Sequence, residues 1–214
     1  AVSAKPTADE NSYMPVFLAG KLAAVSIAGA LGVPLLETTH QAGHIRAAML
    51  DHEQDIPEKE PFLAMHLSGG TTDLLSVRLE NGTVGAIERI GCCDDLHAGQ
   101  FVDRVGVKLG LPFPSGSGLE ALARNAKRRD IRLPSSVKRL TCSFSGQESQ
   151  SQRLIEQGES AEEVAYAVYD CMARTFSKML LNGMERTGCK TALLSGGVSG
   201  SILLRELLAE RTKQ

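Results

Sequence analysis

Residues 61–90 read PFLAMHLSGGTTDLLSVRLENGTVGAIERI, and this stretch decides the fold. Three runs, Phe62 to Leu67, Asp73 to Leu79 and Thr83 to Ile90, have strand length and are rich in apolar and β-branched residues. Asn81-Gly82 separates the second run from the third, and it is the dipeptide of a two-residue hairpin, whose central residues both take positive φ. Ser68-Gly69-Gly70-Thr71 joins the first run to the second. The spacing predicts three consecutive antiparallel strands with a glycine-rich turn at the tip of the first hairpin.

Upstream, Val16 to Leu31 carries apolar residues at helical intervals and is stopped by Gly32 and Pro34, which predicts a buried helix. After the apolar segment Val33 to Leu36, Thr39 is an N-cap for a helix from His40 to about Asp51. The acidic, Pro57-containing stretch from Asp51 to Glu60 suits an exposed loop. Downstream, Asp94 to Leu109 is helical in pattern, residues 110–118 are a Gly/Pro/Ser-rich loop, and a helix starts near Leu119. Ser160-Ala-Glu-Glu163 opens a long helix with a capping box. Lys190 to Leu194 is a short strand that runs into Ser195-Gly196-Gly197 and a last helix from about Ser201. A β-meander followed by α/β units describes the whole, with 1–61 as one domain and 62–214 as a second.

Composition narrows the function classes. The chain has 214 residues, 43% hydrophobic and 22% charged, with a mean hydropathy of -0.07, so a folded globular chain is expected rather than a disordered or fibrous one. Lys21 and the small residues around it interrupt the longest apolar stretch, so no membrane span is expected. No secretory signal is legible in Ala1 to Glu10, which makes the cytoplasm the expected compartment. Cys92, Cys93, Cys142, Cys171 and Cys189 show no C-x-x-C spacing and read as reduced thiols. Net charge is -2, but Arg124, Lys127, Arg128, Arg129, Arg132, Lys138 and Arg139 form a basic run. That run is either a phosphate-contacting surface or simply solvated.

His40 and His44 stand four residues apart on the predicted helix, where two imidazoles share one face and can meet one ion, or hydrogen-bond locally. Gln41 occupies the place where a zinc protease would carry its general-base glutamate. Ser68-Gly69-Gly70-Thr71-Thr72 offers backbone N–H groups and hydroxyls suited to a polyphosphate, or is a tight turn. Ser195-Gly196-Gly197, between a strand and a helix, is a second anion-type bend. Asp103 is a candidate acceptor for ribose hydroxyls, or a solvated helix carboxylate.

Taken in order, these residues resemble the threonylcarbamoyl transferase family of tRNA modification, long labelled glycoproteases or O-sialoglycoprotein endopeptidases. The similarity lies in Thr39-His-Gln-Ala-Gly-His-Ile45, His66-Leu-Ser-Gly-Gly-Thr71, Asp95 to Asp103 with Leu109 to Gly116, Phe144-Ser-Gly146, and Leu194 to Ser201. The resemblance implies the actin, sugar-kinase and heat-shock-ATPase fold. It implies that His40 and His44 hold one divalent metal, iron or zinc. It further implies that His66, Leu67, Ser68, Gly69, Gly70, Asp103, Gly116 and Ser201 meet ATP or threonylcarbamoyl-adenylate. The implied reaction moves threonylcarbamoyl from the adenylate to N6 of adenosine 37 in tRNA, with a homologous partner subunit and without DNA. The chain departs from the family pattern at Thr71 (for His), Leu96 (for Asp), Gln100 (for Glu), Glu148 (for Lys) and Ser201 (for Asn). It reads either as a truncated piece lacking the acidic phosphate strand and a C-terminal aspartate ligand, or as a diverged, non-catalytic scaffold; metal-dependent proteolysis is the third alternative.

Overall fold

A computed structural model describes residues 1–7, 11–50 and 52–213. The chain divides into two compact units, residues 1–62 with 77–88, and residues 63–76 with 89–214.

The first unit is built on a βαβ turn: β1 (Val2–Lys5), α1 (Pro15–Leu31) and β2 (Glu37–Thr39), with β1 and β2 parallel and Val2 opposite Glu37. Proline at the first helical position starts α1, and Gly32 at φ 63° ends it. The helix forms where the sequence predicts it, but no residue of α1 is buried. Only Phe17, Lys21, Ala24 and Ala28 are half-buried, at helical spacing, while Val16, Leu18, Leu22, Val25, Ile27 and Leu31 are exposed. Helical periodicity reports that a face is apolar and leaves open what covers it. Thr39 caps α2 (His40–Met49) by accepting from the Ala42 N–H at 3.1 Å; Asp51, the predicted helix end, lies outside the described residues.

A six-stranded sheet runs in the order β6-β7-β5-β4-β3-β8, with β3 (Phe62–Leu67), β4 (Thr72–Glu80), β5 (Thr83–Cys93), β6 (Ser136–Lys138), β7 (Thr141–Ser143) and β8 (Ala192–Ser195). The meander is present: β3, β4 and β5 are sheet neighbours joined by short turns, which only antiparallel strands permit. Asn81 and Gly82 take φ of 52° and 73°, as the hairpin reading requires. β8 returns parallel to β3, pairing His66 with Ser195. Every residue of β3 is buried: it lies between β4 and the parallel β8 and is covered on both faces.

Helices α3 (Ala98–Lys108), α4 (Gly116–Arg124), α5 (Ser145–Glu156), α6 (Ala161–Thr187) and α7 (Ile202–Thr212) complete the second unit. The helix predicted from Asp94 begins at Ala98 instead, because β5 runs on to Cys93 and residues 94–97 form a connecting turn. Both short strands β6 and β7, and helix α5, are absent from the sequence reading; α5 is almost wholly polar and shows no apolar stripe to betray it. Ser160 caps α6, accepting from Glu163 N–H at 3.5 Å. Gly183 lets α6 settle on the sheet, since a Cβ there would stand 2.9 Å from Leu74 Cδ2 and 3.1 Å from Leu63 Cδ1. Phe101 stacks on Phe144 in the core with centroids 5.3 Å apart, and Phe176 meets Phe144 edge to face at 5.6 Å.

Candidate functional site

The turn between β3 and β4 is closed by the Ser68 N–H donating to the Thr71 carbonyl at 2.8 Å, and the Gly70 N–H donates to Ser68 Oγ at 3.3 Å. Among the described residues the Gly69 N–H has no hydrogen-bond partner. Neither Gly69 nor Gly70 takes a positive φ, and a Cβ on either would meet no atom within 4 Å. The fold therefore does not require glycine at these two positions, whereas close approach of a ligand to the backbone would.

Two contacts set α3 against this turn. Thr72 Oγ1 accepts from the Ala98 N–H at 2.9 Å, and the Gly99 N–H donates to the Ser68 carbonyl at 3.2 Å. Gly99 is obligatory for the second, because a Cβ there would lie 2.6 Å from Gly69 Cα. One helical turn on, Asp103 Oδ1 accepts from the Ser115 N–H at 2.7 Å and so fixes the start of α4. Among the described residues Asp103 Oδ2 has no hydrogen-bond partner. Tyr169, buried on α6, donates from its hydroxyl to the Gly116 carbonyl at 3.0 Å. Burial, and then the carboxylates of Glu120 and Asp103, raise the Tyr169 pKa, so it stays a neutral donor.

These groups line one cleft of about 480 Å³, whose walls include Gly69, Gly99, Asp103, Gly116, Tyr169 and Ser201. Gly69, Asp103, Gly116 and Ser201 are thus brought together from four separate segments. His66, Leu67, Ser68 and Gly70 are not on its wall; His66 and Leu67 are buried strand residues, and His66 Nδ1 lies 3.0 Å from Ser195 Oγ. Ser201 caps α7 by accepting from the Leu204 N–H at 3.2 Å. Gly197 to Gly200 forms a short 3-10 turn, so Ser195-Gly196-Gly197 does not open directly into a long helix. Gly196, at φ 90°, is needed for packing: a Cβ would stand 2.3 Å from the Leu67 carbonyl oxygen. Gly99, Glu120 and Tyr169 escaped the sequence reading. A glycine in the first turn of a helix and one of two tyrosines on α6 hint at Gly99 and Tyr169 without naming a partner, and nothing local marks Glu120.

In the first unit, His40 Nε2 and His44 Nε2 are 3.0 Å apart on α2. Burial, then His40 itself, hold His44 below the ordinary histidine pKa, which favours the neutral ring that a metal needs. Two nitrogens about 2.0–2.1 Å from one zinc ion at ~90–110° would stand roughly 3 Å apart, so the pair fits as two ligands. It equally fits a direct ring-to-ring hydrogen bond. No cluster of three or more potential ligands occurs among the described residues.

Two cations of the basic run are ion-paired within the fold, and a third lies over a ring. Arg124 pairs with Glu120 and Glu206, Arg128 with Asp130 and Glu159, and the Arg129 guanidinium lies 4.7 Å over the Tyr166 ring. Glu163 accepts from the backbone N–H groups of Lys127, Arg128 and Arg129, which pins the chain there while the three residues stay exposed.

Comparison with known proteins matches residues 15–214 to the family described as TsaD: tRNA N6-adenosine threonylcarbamoyltransferase. A curated relative, the tRNA N6-adenosine threonylcarbamoyltransferase of Corynebacterium diphtheriae, is 31% identical over 210 residues, 91% of this chain and 58% of the relative. The chain thus spans rather more than half the length of that relative. Among solved structures, HypF of T. kodakarensis superposes with a TM-score of 0.71 at 17% identity, over 91% of this chain and 35% of HypF. Component A of (R)-2-hydroxyglutaryl-CoA dehydratase from Acidaminococcus fermentans gives 0.55 at 16% identity, over 85% and 62%. The fold is that of the actin, sugar-kinase and heat-shock-ATPase group. No helix among the described residues is long and apolar enough to cross a membrane.

Proposed function

We propose, from the premise that this chain belongs to the tRNA N6-adenosine threonylcarbamoyltransferase family, that its second unit binds the adenosine part of ATP or threonylcarbamoyl-adenylate for transfer to tRNA. The observation that carries this reading is the cleft in which Gly69, Asp103, Gly116 and Ser201 converge. The Gly69 N–H faces no competing partner among the described residues and suits a phosphate oxygen. The second oxygen of Asp103 suits the ribose hydroxyls, as its first is held by Ser115. Tyr169 holds the Gly116 carbonyl and keeps that wall rigid. His40 and His44 would hold the divalent iron or zinc, which when bound would polarise a carbonyl as a Lewis acid. The third ligand, the acyl transfer itself and a homologous partner subunit belong to the whole protein and complete the reading.

A second reading, a non-catalytic scaffold, is favoured by one observation, the exposed apolar surface of α1. Isothermal titration with ATP and with a non-hydrolysable acyl-adenylate analogue separates the two. The nucleotide reading expects binding by the wild-type chain and at least tenfold weaker binding by Asp103→Ala, in line with the worth of hydrogen bonds to a charged group. Absence of binding, or equal binding by both proteins, would sink it and leave the scaffold.

A further inference from the structure

We infer that the outer side of α3 carries a second ligand site, which takes an unpaired nucleobase of the RNA substrate beside the adenosine cleft; this rests on the tRNA reading above. A cavity of about 420 Å³ opens there, lined by Arg104, Val107, Lys108, Phe113 and the two amide residues Gln100 and Gln152. The volume lies within the range of small-ligand sites, about 300–1,000 Å³.

Its position follows from the chain path. Asp103 lines both cavities, and the successive residues Phe113 and Pro114 line one each, so a single turn separates them. Its chemistry is specific. Phe113 is 76% exposed and Val107 52%, an uncovered aromatic ring beside an aliphatic side chain. A flat ring is what an unstacked base seeks. Arg104 makes no ion pair among the described residues, and Lys108 has only the exposed Glu156 at 2.7 Å. An exposed pair of that kind is worth little, so both cations can turn to phosphate.

The two amides are already half used, in opposite senses. Gln100 Oε1 accepts from the His97 N–H at 3.2 Å, which leaves its NH₂ group to donate. Gln152 donates its NH₂ to Glu148, which leaves its carbonyl to accept. One donor and one acceptor beside a ring is the complement of a base edge. An acidic peptide would not use the ring, and a lipid surface would not use the amides.

The test places a fluorescent adenine analogue in the loop of an anticodon-type RNA hairpin and titrates the full chain into it. Wild type is expected to bind with quenching of the fluorophore. Phe113→Ala should weaken binding about tenfold or more and abolish quenching, and Phe113→Tyr should restore both. Arg104→Gln should lower the slope of log affinity against log salt by about one. ATP affinity, read at the neighbouring cleft, should be unchanged in all three variants. Wild-type hairpin binding that survives Phe113→Ala with quenching intact overturns the inference while leaving the tRNA reading standing. Failure of wild type to bind the hairpin sinks both, and failure to bind ATP alone sinks only the nucleotide reading. AMP competes as a separate arm: sensitivity of AMP but not of the hairpin to Phe113→Ala would mean that the cavity takes free nucleotide, and overturns the inference as well.

Discussion

Adding one methyl group at Gly99 should displace the turn between β3 and β4. Its Cβ would stand 2.6 Å from Gly69 Cα, 2.8 Å from Gly69 N and 2.9 Å from the Ser68 carbonyl oxygen. All three are backbone atoms, so no rotamer change relieves the clash. Carbon atoms in contact sit about 3.5–4.0 Å apart, so the turn must retreat by ~1 Å. That retreat stretches the 3.2 Å hydrogen bond from Gly99 N–H to Ser68, a loss of about 0.5–1.5 kcal/mol, on top of an overpacking cost of about 1–3 kcal/mol. Replacing glycine by alanine in a helix returns at most ~1 kcal/mol, and less near its start, so destabilisation wins. The net cost is then about 0.5–4.5 kcal/mol, and for a chain of this size each kcal/mol lowers the thermal midpoint by roughly 2–4 °C. A turn misplaced by ~1 Å should cost up to about 10²-fold in ATP affinity, by analogy with misplaced catalytic groups. Calorimetric titration of Gly99→Ala reads the affinity and thermal denaturation the stability. Gly69→Ala is the contrast: its Cβ meets nothing within 4 Å, so stability should hold within about 0.5 kcal/mol while ATP binding falls. Wild-type ATP affinity in Gly99→Ala would refute the claim that this helix positions the turn.

Three further outcomes follow from other parts of the chain. Zinc or ferrous iron titrated into the wild type should bind, and His40→Ala or His44→Ala should each reduce the bound metal; equal metal content in all three proteins removes the pair as ligands. Burial pulls the Asp95 carboxyl upward, but donors from Ser143, Phe144, Ser145 and Leu96 hold it well below the ordinary carboxylate range. Its contribution is therefore present above a pH of about 3.9, the unfolded value, and is lost as pH falls through the lower folded one. Asp95→Asn should melt below wild type near neutrality, with the gap closing in acid; a gap independent of pH would show that the charge is not the cause. On α1, Leu22 is 70% exposed and Ile27 60%, so the double variant Leu22→Lys, Ile27→Lys should lower binding of a hydrophobic dye and reduce self-association in sedimentation, without loss of helix by circular dichroism. Unaltered dye binding would mean that this face is covered.

The features legible from the sequence are those whose partners are close along the chain. Asn81-Gly82 names its turn because positive φ at two adjacent residues is a local demand, and Thr39 and Ser160 name their helices because a cap reaches only three residues ahead. The order of motifs that marks the family is likewise written in short runs. What tertiary structure alone decided are pairings across long loops. Tyr169 reaches Gly116 over 53 positions, Asp95 holds the Phe144 N–H over 49, and Glu163 holds the Lys127 N–H over 36. Within the basic run, the pairing of Arg124 with Glu206 and of Arg128 with Glu159 is invisible locally because those acids lie far along the chain. Gly99 looked like any helix glycine until the path of β3 and β4 laid Gly69 against it. A residue's own chemistry is local, but what it touches depends on how the whole backbone closes on itself, and the cleft exists only at that level.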